Sequence, residues 1–551
     1  MPTYGINPYI SFVESRLIRG VVQHAVFHRL TGELIEPDER VRNLLLTTKL
    51  GTRLSINEAD FLLRPLVQKE FLIPENHDPL ALAVDQYVTR PIQNPAIAYR
   101  SKTGEWILVR TSMLHTVYSR RLDELPEIIE EKLSPVAAGI LLKADGTKTL
   151  WQIYNELRVD DSEFRSAIDF LTSQERQLIK FTPRLEDLDE PFSLVNIIPR
   201  NLYHSERKDR DAIIDFHLSG IEDAAWEFDQ IEPTLNHGFR FPHEALGGLN
   251  YGSRFCLATL RPEVVPLINN STALQVLEVG GGMGTFAQAF LQQAANLNGT
   301  TINYHILDLS PTLMASQRKI LAELLPESRH FQQDATEFDL PDHTFDLIIS
   351  NEVIADFPVA SLQRNNDGTW QGEGAYYLDK YDLPDRDAPD SFVVNAGVFR
   401  FIERAWKHLT PGGTLILSEY GSVQHYPAAS FNLNHDEFTI HFGHVIACAT
   451  KVGFQCRLLT LKEFLGFDDN VLVLDGREEH LLCLNHVLKN YGEVLPYAVI
   501  SKSDFEQRCG GIVEETGLIG YSFSPLHKGF HFGPNLRDFL VLIMHKPEEE
   551  I

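Results

Sequence analysis

The segment from Leu274 to Gly284 constrains this chain more than any other. A short apolar strand, Leu274–Val279, runs straight into Gly280-Gly281-Gly282-Met283-Gly284, and a helical pattern opens at Thr285. Glycines there let the backbone turn sharply and approach a ligand closely. The start of the following helix presents unpaired N–H groups to that ligand.

The pattern then alternates. Ile302–Leu307 reads as a strand, and a helix follows from Pro311, with Ser310 before it and proline in its favoured first turn. Asp346–Ser350 reads as a buried strand, Gly397–His408 as a helix, Thr414–Ser418 and Phe539–Met544 as further strands. Strands alternating with helices imply a parallel sheet covered on both faces. The fold class expected is therefore α/β: a Rossmann-like sheet over residues 191–551, with a partly helical cap insertion around 462–530. The preceding residues differ. Phe27–Ile35 and Tyr99–Ile107 each place Thr-Gly-Glu between short apolar stretches, which reads as a repeated small α+β theme. The divisions expected are an α+β module over 1–95, a second module over 96–190 and the sheet domain after it. The acidic, proline-flanked stretch Pro183–Pro191 and the charge run Glu206–Asp211 mark the break.

At 551 residues, two or three domains are the prior. A formal net charge of -27 with no block rich in lysine and arginine argues against a nucleic-acid partner and favours cationic substrates. The five cysteines are scattered and lack C-x-x-C spacing, which reads as reduced thiols in a cytoplasmic setting. No apolar stretch is long enough to suggest a membrane span, and no charged-then-apolar leader opens the chain.

The glycine loop carries the chemistry. A dinucleotide fingerprint would need glycine where Thr285 stands. The acidic-x-G-x-G-x-G spacing, Glu278 followed by Gly280, Gly282 and Gly284, fits an S-adenosylmethionine loop instead. Glu278 would balance the cofactor's cationic methionine end. Asp308, closing the second strand, is positioned for ribose hydroxyls, and Asp334-Ala335 for the adenine amino group. The fourth strand ends in Asn351-Glu352, with Asp356 following. These three are the candidates for aligning and deprotonating a methyl acceptor. Each is also a plausible helix cap. His441 and His444, three apart, share a helix face; His441 is a further catalytic candidate. With His435 they offer imidazoles but no established metal spacing, so no metal is expected.

Together these motifs resemble the MidA-like family of S-adenosylmethionine-dependent methyltransferases over about residues 240–545. The resemblance rests on Asn250-Tyr251-Gly252, the glycine loop, Leu309-Ser310-Pro311-Thr312-Leu313 with Gln317, Asn351-Glu352-Val353-Ile354, Phe357-Pro358-Val359, Glu419-Tyr420-Gly421, Thr439-Ile440-His441 and Phe539–Leu542. It implies a class I methyltransferase acting on protein arginine side chains, adds Leu309 and Gly281 to the cofactor contacts, and adds Tyr420 to the catalytic candidates. Two departures loosen the carry-over. The loop lacks the family's Pro and Arg, and the family's Asp-Ala pair is reversed here as Ala355-Asp356. Leu133–Ile153 resembles PqqD-like winged-helix modules that hold the leader of a ribosomally made peptide. The expectation is a methyltransferase acting on a peptide or protein side chain, with a cofactor-binding assembly factor lacking turnover as the alternative. The N-terminal region either recruits peptide or dimerises, so a homodimer is among the expected partners.

Overall fold

The computed structural model describes residues 3–16, 22–31, 33–35, 37–49, 54–55, 63–80, 87–91, 96–111, 127–173, 176–183, 213–221, 223–226, 234–297, 300–326, 329–431, 436–475, 478–529 and 538–548. The charged break expected around 183–215 lies almost wholly outside them. The chain divides into two units. One comprises Met1–Lys208, Asp475–Pro496 and Ser503–Ser522; the other comprises Asp209–Leu474, Tyr497–Lys502 and Phe523–Ile551.

The second unit is built on one mixed sheet. Its strands in chain order are β1 (Ala273–Val279), β2 (Thr301–Asp308), β3 (His330–Gln332), β4 (Phe345–Asn351), β5 (Leu409–Ser422), β6 (Ile440–His441), β7 (Gln455–Thr460) and β8 (Asp538–His545). The spatial order is β3-β2-β1-β4-β5-β8-β7, with β6 beside the end of β5. Pairing is parallel from β3 through β5, and β8 runs antiparallel to both β5 and β7. The order reverses between β2-β1 and β4, and ligands bind beyond the carboxyl ends of strands at such a switch point.

Residue parity explains why the sheet is covered twice. Successive strand side chains point to opposite faces. Leu274 and Val276 of β1, Ile306 of β2, Ile416 of β5 and Ile543 of β8 join one core, against helices α1 (Tyr251–Thr259) and α2 (Thr285–Ala295). Leu277 and Val279, Leu307, Leu415 and Leu417, Leu542 and Met544 join the other, against α3 (Ala396–His408) and α4 (Phe442–Val452). Near-continuous apolar strands are what a sheet buried on both faces requires. Between β4 and α3 the chain inserts a small antiparallel sheet of Ala360–Arg364, Trp370–Gln371 and Ser391–Val394.

In the first unit, Ala96–Arg100, Trp106–Thr111 and Ile128–Leu133 form an antiparallel sheet, followed by helices Pro135–Lys143, Leu150–Leu157 and Asp161–Leu171. Ser134 caps the first helix, and Thr149 with Gln152 forms a capping box on the second. The strands flanking the two Thr-Gly-Glu stretches pair antiparallel, Val22–His28 with Leu34–Ile35 and Ala96–Arg100 with Trp106–Thr111. The stretch 462–530, expected as a cap, is divided. Its helices Glu478–Leu488 and Lys502–Thr516 belong mainly to the first unit, where Glu478–Leu488 packs on strands Ala96–Arg100 and Trp106–Thr111.

Candidate functional site

The carboxyl ends of β1, β2 and β4, with the segment after β3, open onto one cavity. It is lined by Glu278–Met283, Asp308, Leu309, Gln333–Ala335, Asn351–Val353 and Asp356–Pro358, together with Ile214, Phe216, His217, Thr234, Asn236 and His237. Glu278, Gly280, Gly281, Gly282, Asp308, Leu309, Asp334, Ala335, Asn351, Glu352 and Asp356 thus meet in one place. Gly284 starts α2 behind the lining.

The glycine loop depends on its residues. Gly280, Gly282 and Gly284 adopt φ of 73°, 50° and 89°. A Cβ on Gly280 would lie 2.3 Å from Val353 Cγ2. One on Gly281 would lie 2.8 Å from Ile306 Cγ2, and one on Gly284 3.0 Å from Gln317 Cα. The backbone approaches its neighbours as closely as glycine allows. Asp308 locks the loop from the next strand. Its Oδ2 accepts from Gly281 N at 3.1 Å and from Gln317 Nε2 at 2.7 Å, and its Oδ1 accepts from Ser310 N at 2.9 Å. Gln317 Nε2 also donates to Gly282 O at 2.9 Å. Asp308 therefore organises the loop through the same oxygens a ribose would engage, a duty that spacing alone did not show.

Glu278 is 3% exposed. Burial pushes its carboxyl up to about 8. This buried carboxyl, which shares a hydrogen bond with Tyr304, heads the glycine loop, and a cationic ligand there would favour its ionised form. That supplies the fit for S-adenosylmethionine, whose methionine end is such a cation. Glu278 and the loop would hold that end, and Asp334 stands at the opposite strand edge with Oδ1 accepting from Thr336 N.

At the end of β4 lies a polar network. Tyr251, fully buried on α1, donates to Asn351 Oδ1 at 2.8 Å, and Asn351 Nδ2 donates to Glu352 Oε1 at 3.0 Å. Glu352 Oε2 accepts from Leu235 N at 2.7 Å. Glu352 holds a φ of 55°, a left-handed conformation costly outside glycine and frequent at functional sites. Burial pushes its carboxyl up to about 7 against those hydrogen bonds. Asp356 Oδ2 lies 3.1 Å from His217 Nε2. Glu419, 6% exposed on β5, is raised well above the carboxylate range by burial, and Glu437, Glu352 and Asp356 raise it further.

Tyr420 and His441, two of the expected catalytic residues, are not among the residues that line this cavity. Alternation along β5 puts Glu419 within the field of Glu352 and Asp356 and leaves Tyr420 paired with Phe539 of β8, ring centroids 5.4 Å apart. His441, 4% exposed, caps α4 and stacks on His444 at 3.9 Å, and burial pulls it down to about 3. His435 lies outside the described residues, and among those described no cluster of His, Cys, Asp or Glu is placed to hold a metal ion. Sequence reasoning missed His217, Glu419 and Tyr251 as members of the site. Tyr251 and Glu419 sat inside quoted motifs without a role assigned to them; His217 carried no motif.

Residues 256–411 match the family described as "Putative S-adenosyl-L-methionine-dependent methyltransferase". No curated protein matches the chain in sequence. Among solved structures, the chain is similar to a "likely methyl transferase from Burkholderia thailandensis bound to S-adenosyl-homocysteine", at 17% identity over 61% of this chain and 92% of that one, with a TM-score of 0.32. It is similar to a phosphoethanolamine N-methyltransferase 2 of Haemonchus contortus in complex with S-adenosyl-L-methionine, at 14% identity over 68% of this chain and 63% of that one, with a TM-score of 0.30. A third is an O-methyltransferase of a Brevibacillus brevis multienzyme in complex with S-adenosyl-L-homocysteine, at 12% identity over 53% of this chain and 71% of that one, with a TM-score of 0.26. The family match falls on the glycine loop, the β2 carboxylate and the β4 end, the residues that build the cavity. The chain is an S-adenosylmethionine-dependent methyltransferase, and its second unit carries a Rossmann-like methyltransferase fold. Among the described residues no helix is long and apolar enough to cross a membrane.

Proposed function

We propose that the methyl acceptor is a basic side chain of a peptide or protein. One observation carries this reading: the cavity is acidic around the end of β4. Glu352 and Asp356 line it, and Glu419 and Glu437 bear on them. An incoming ammonium or guanidinium would be drawn to this end and would relieve the crowding of like charges. The chain's net charge of -27 adds long-range attraction for a cationic partner. The first unit supports a peptide over a free small molecule. Leu133–Ile153 resembles a peptide-holding module, and an edge of the three-stranded sheet beside it could pair with an extended peptide through backbone hydrogen bonds. Recruitment there would raise the acceptor's effective concentration.

Truncating the N-terminal residues is a poor test, because Glu478–Leu488 packs on strands from that region and would lose its partner. The full chain is therefore incubated with tritiated S-adenosylmethionine and a set of peptides of equal length, rich in arginine, in lysine or in neutral residues. Label is expected on the basic peptides, weakening as salt rises. Equal labelling of neutral peptides would refute the acceptor class.

A further inference from the structure

We infer that His217, backed by Asp356, accepts the proton that the methyl acceptor loses. The inference rests on the cavity being the methyl-transfer site and deepens that reading by naming the base.

His217 and Asp356 come from segments far apart in the chain and meet in the cavity wall, His217 Nε2 lying 3.1 Å from Asp356 Oδ2. Their side chains are 20% and 15% exposed, so the pair is shielded yet reachable from the cavity. The imidazole is aimed by local structure. Phe216–Gly220 is a π-helical turn, a form that re-aims side chains and recurs at functional sites. Phe216, Ile221 and Ala224 anchor that turn on Leu313 of the helix after β2 and on Met283 of the glycine loop. The ring is thereby held beside the cofactor loop by packing as well as by its ion partner. The charged groups around it are Asp356 at contact distance, Asp308, whose carboxyl feels the imidazole's charge, and Glu352 in the same lining.

The chemistry follows from the pairing. A carboxylate accepts from Nε2, which places that ring proton on Nε2 and the lone pair on the other ring nitrogen. The imidazolium formed on proton uptake is then stabilised by Asp356. S-adenosylmethionine, when bound, supplies a methyl group on a sulfonium. The acceptor's nitrogen or oxygen forms the bond to the methyl carbon, the carbon–sulfur electron pair leaves with sulfur, and the displaced proton passes to His217.

The full-length protein labelled with ¹⁵N-histidine tests the pair, with His217→Gln identifying the resonance. The Nε2–H tautomer is expected, and Asp356→Asn should move the titration of His217 to lower pH. Kinetics with tritiated S-adenosylmethionine and an arginine-rich peptide test the role. His217→Gln should lower kcat by roughly 100-fold or more. Added imidazole should restore part of the rate in His217→Ala. Cofactor affinity by calorimetry should stay within about threefold, the span of a weak or absent contact. An unchanged titration in Asp356→Asn, or a wild-type kcat in His217→Gln, would overturn the proposal. A wild type that binds cofactor yet labels no basic peptide would count against the acceptor class instead, and the base would then stand or fall on the tautomer and titration.

Discussion

Gly280→Ala isolates the geometry on which cofactor binding depends. Two costs add. A non-glycine residue at φ 73° costs about 1–2 kcal/mol. The new Cβ would also lie 2.3, 2.8 and 3.1 Å from Cγ2, Cγ1 and Cβ of Val353. Val353 is β-branched and follows directly from β4, so it has little room to yield, and overpacking of this kind costs about 1–3 kcal/mol. The single variant should therefore lose about 2–5 kcal/mol, divided between folding and cofactor affinity. Removing the obstacle separates the terms. In Gly280→Ala with Val353→Ala the steric part disappears and the conformational part remains. A double-mutant cycle, read by urea unfolding and by calorimetry with S-adenosylmethionine, should give a coupling of about 1–3 kcal/mol favouring the double variant. Strict additivity would show that the loop does not abut Val353, and the placement of the loop against the end of β4 would be wrong.

Three further outcomes follow from the same site. Glu278 holds a proton up to about pH 8 in the folded chain but ionises near pH 4.5 when unfolded, so stability is highest below pH 4.5 for this group, falls as pH rises from about 4.5 to 8, and levels beyond. Glu278→Gln should flatten that slope in urea unfolding at pH 5 and pH 8; an identical slope would exclude Glu278 as its source. If the carboxyl ionises to meet the cation, cofactor binding at pH 7 should release protons, seen as calorimetric heats that depend on the buffer's ionisation enthalpy, and Glu278→Gln should abolish the dependence. Tyr251→Phe leaves Asn351 Oδ1 without its buried donor and should cost about 1–3 kcal/mol in stability, with kcat falling more than cofactor affinity; a larger loss in affinity would place Tyr251 at the cofactor end.

What the sequence disclosed, and what it withheld, divides along the cavity. The cofactor end is made by backbone. β1, the glycine loop, α2 and β2 are contiguous, and their requirements, an apolar run, glycines at positive φ and a strand-end acid, are written in adjacent residues. The expected strands Leu274–Val279, Ile302–Leu307 and Asp346–Ser350 each extend by only a residue at one or both ends in the structure. The acceptor end is made by side chains from separate segments. His217 sits on a π-helical turn, which leaves no 3.6-residue period to read, and next to charge-rich sequence that reads as a linker. Glu419 and Tyr420 are neighbours in one motif, and only the pairing of β5 with β8 decides that Tyr420 meets Phe539 while Glu419 is buried within the field of Glu352 and Asp356. His441 had the composition of a catalytic residue and the location of a core one: its partner is His444, in the first turn of the helix that His441 caps.

This division also bears on how the two ends work together. Four carboxyls gather at the acceptor end, and burial holds Glu352 and Glu419 toward their neutral forms before any ligand arrives. The site thus carries less negative charge when empty than its composition suggests. A cation entering either end shifts the nearby carboxyls toward ionisation, and the ionised groups attract a second cation more strongly than the neutral ones did. Cofactor and basic acceptor would then reinforce each other across the cavity through protons released to solvent rather than through movement of the fold. His217 lies beside Asp356 and within the field of Asp308. On the proposed reading, carboxylates ionised by an arriving cation would hold a proton on His217 more firmly as the acceptor gives one up, so the acidic surroundings would serve the base as well as binding.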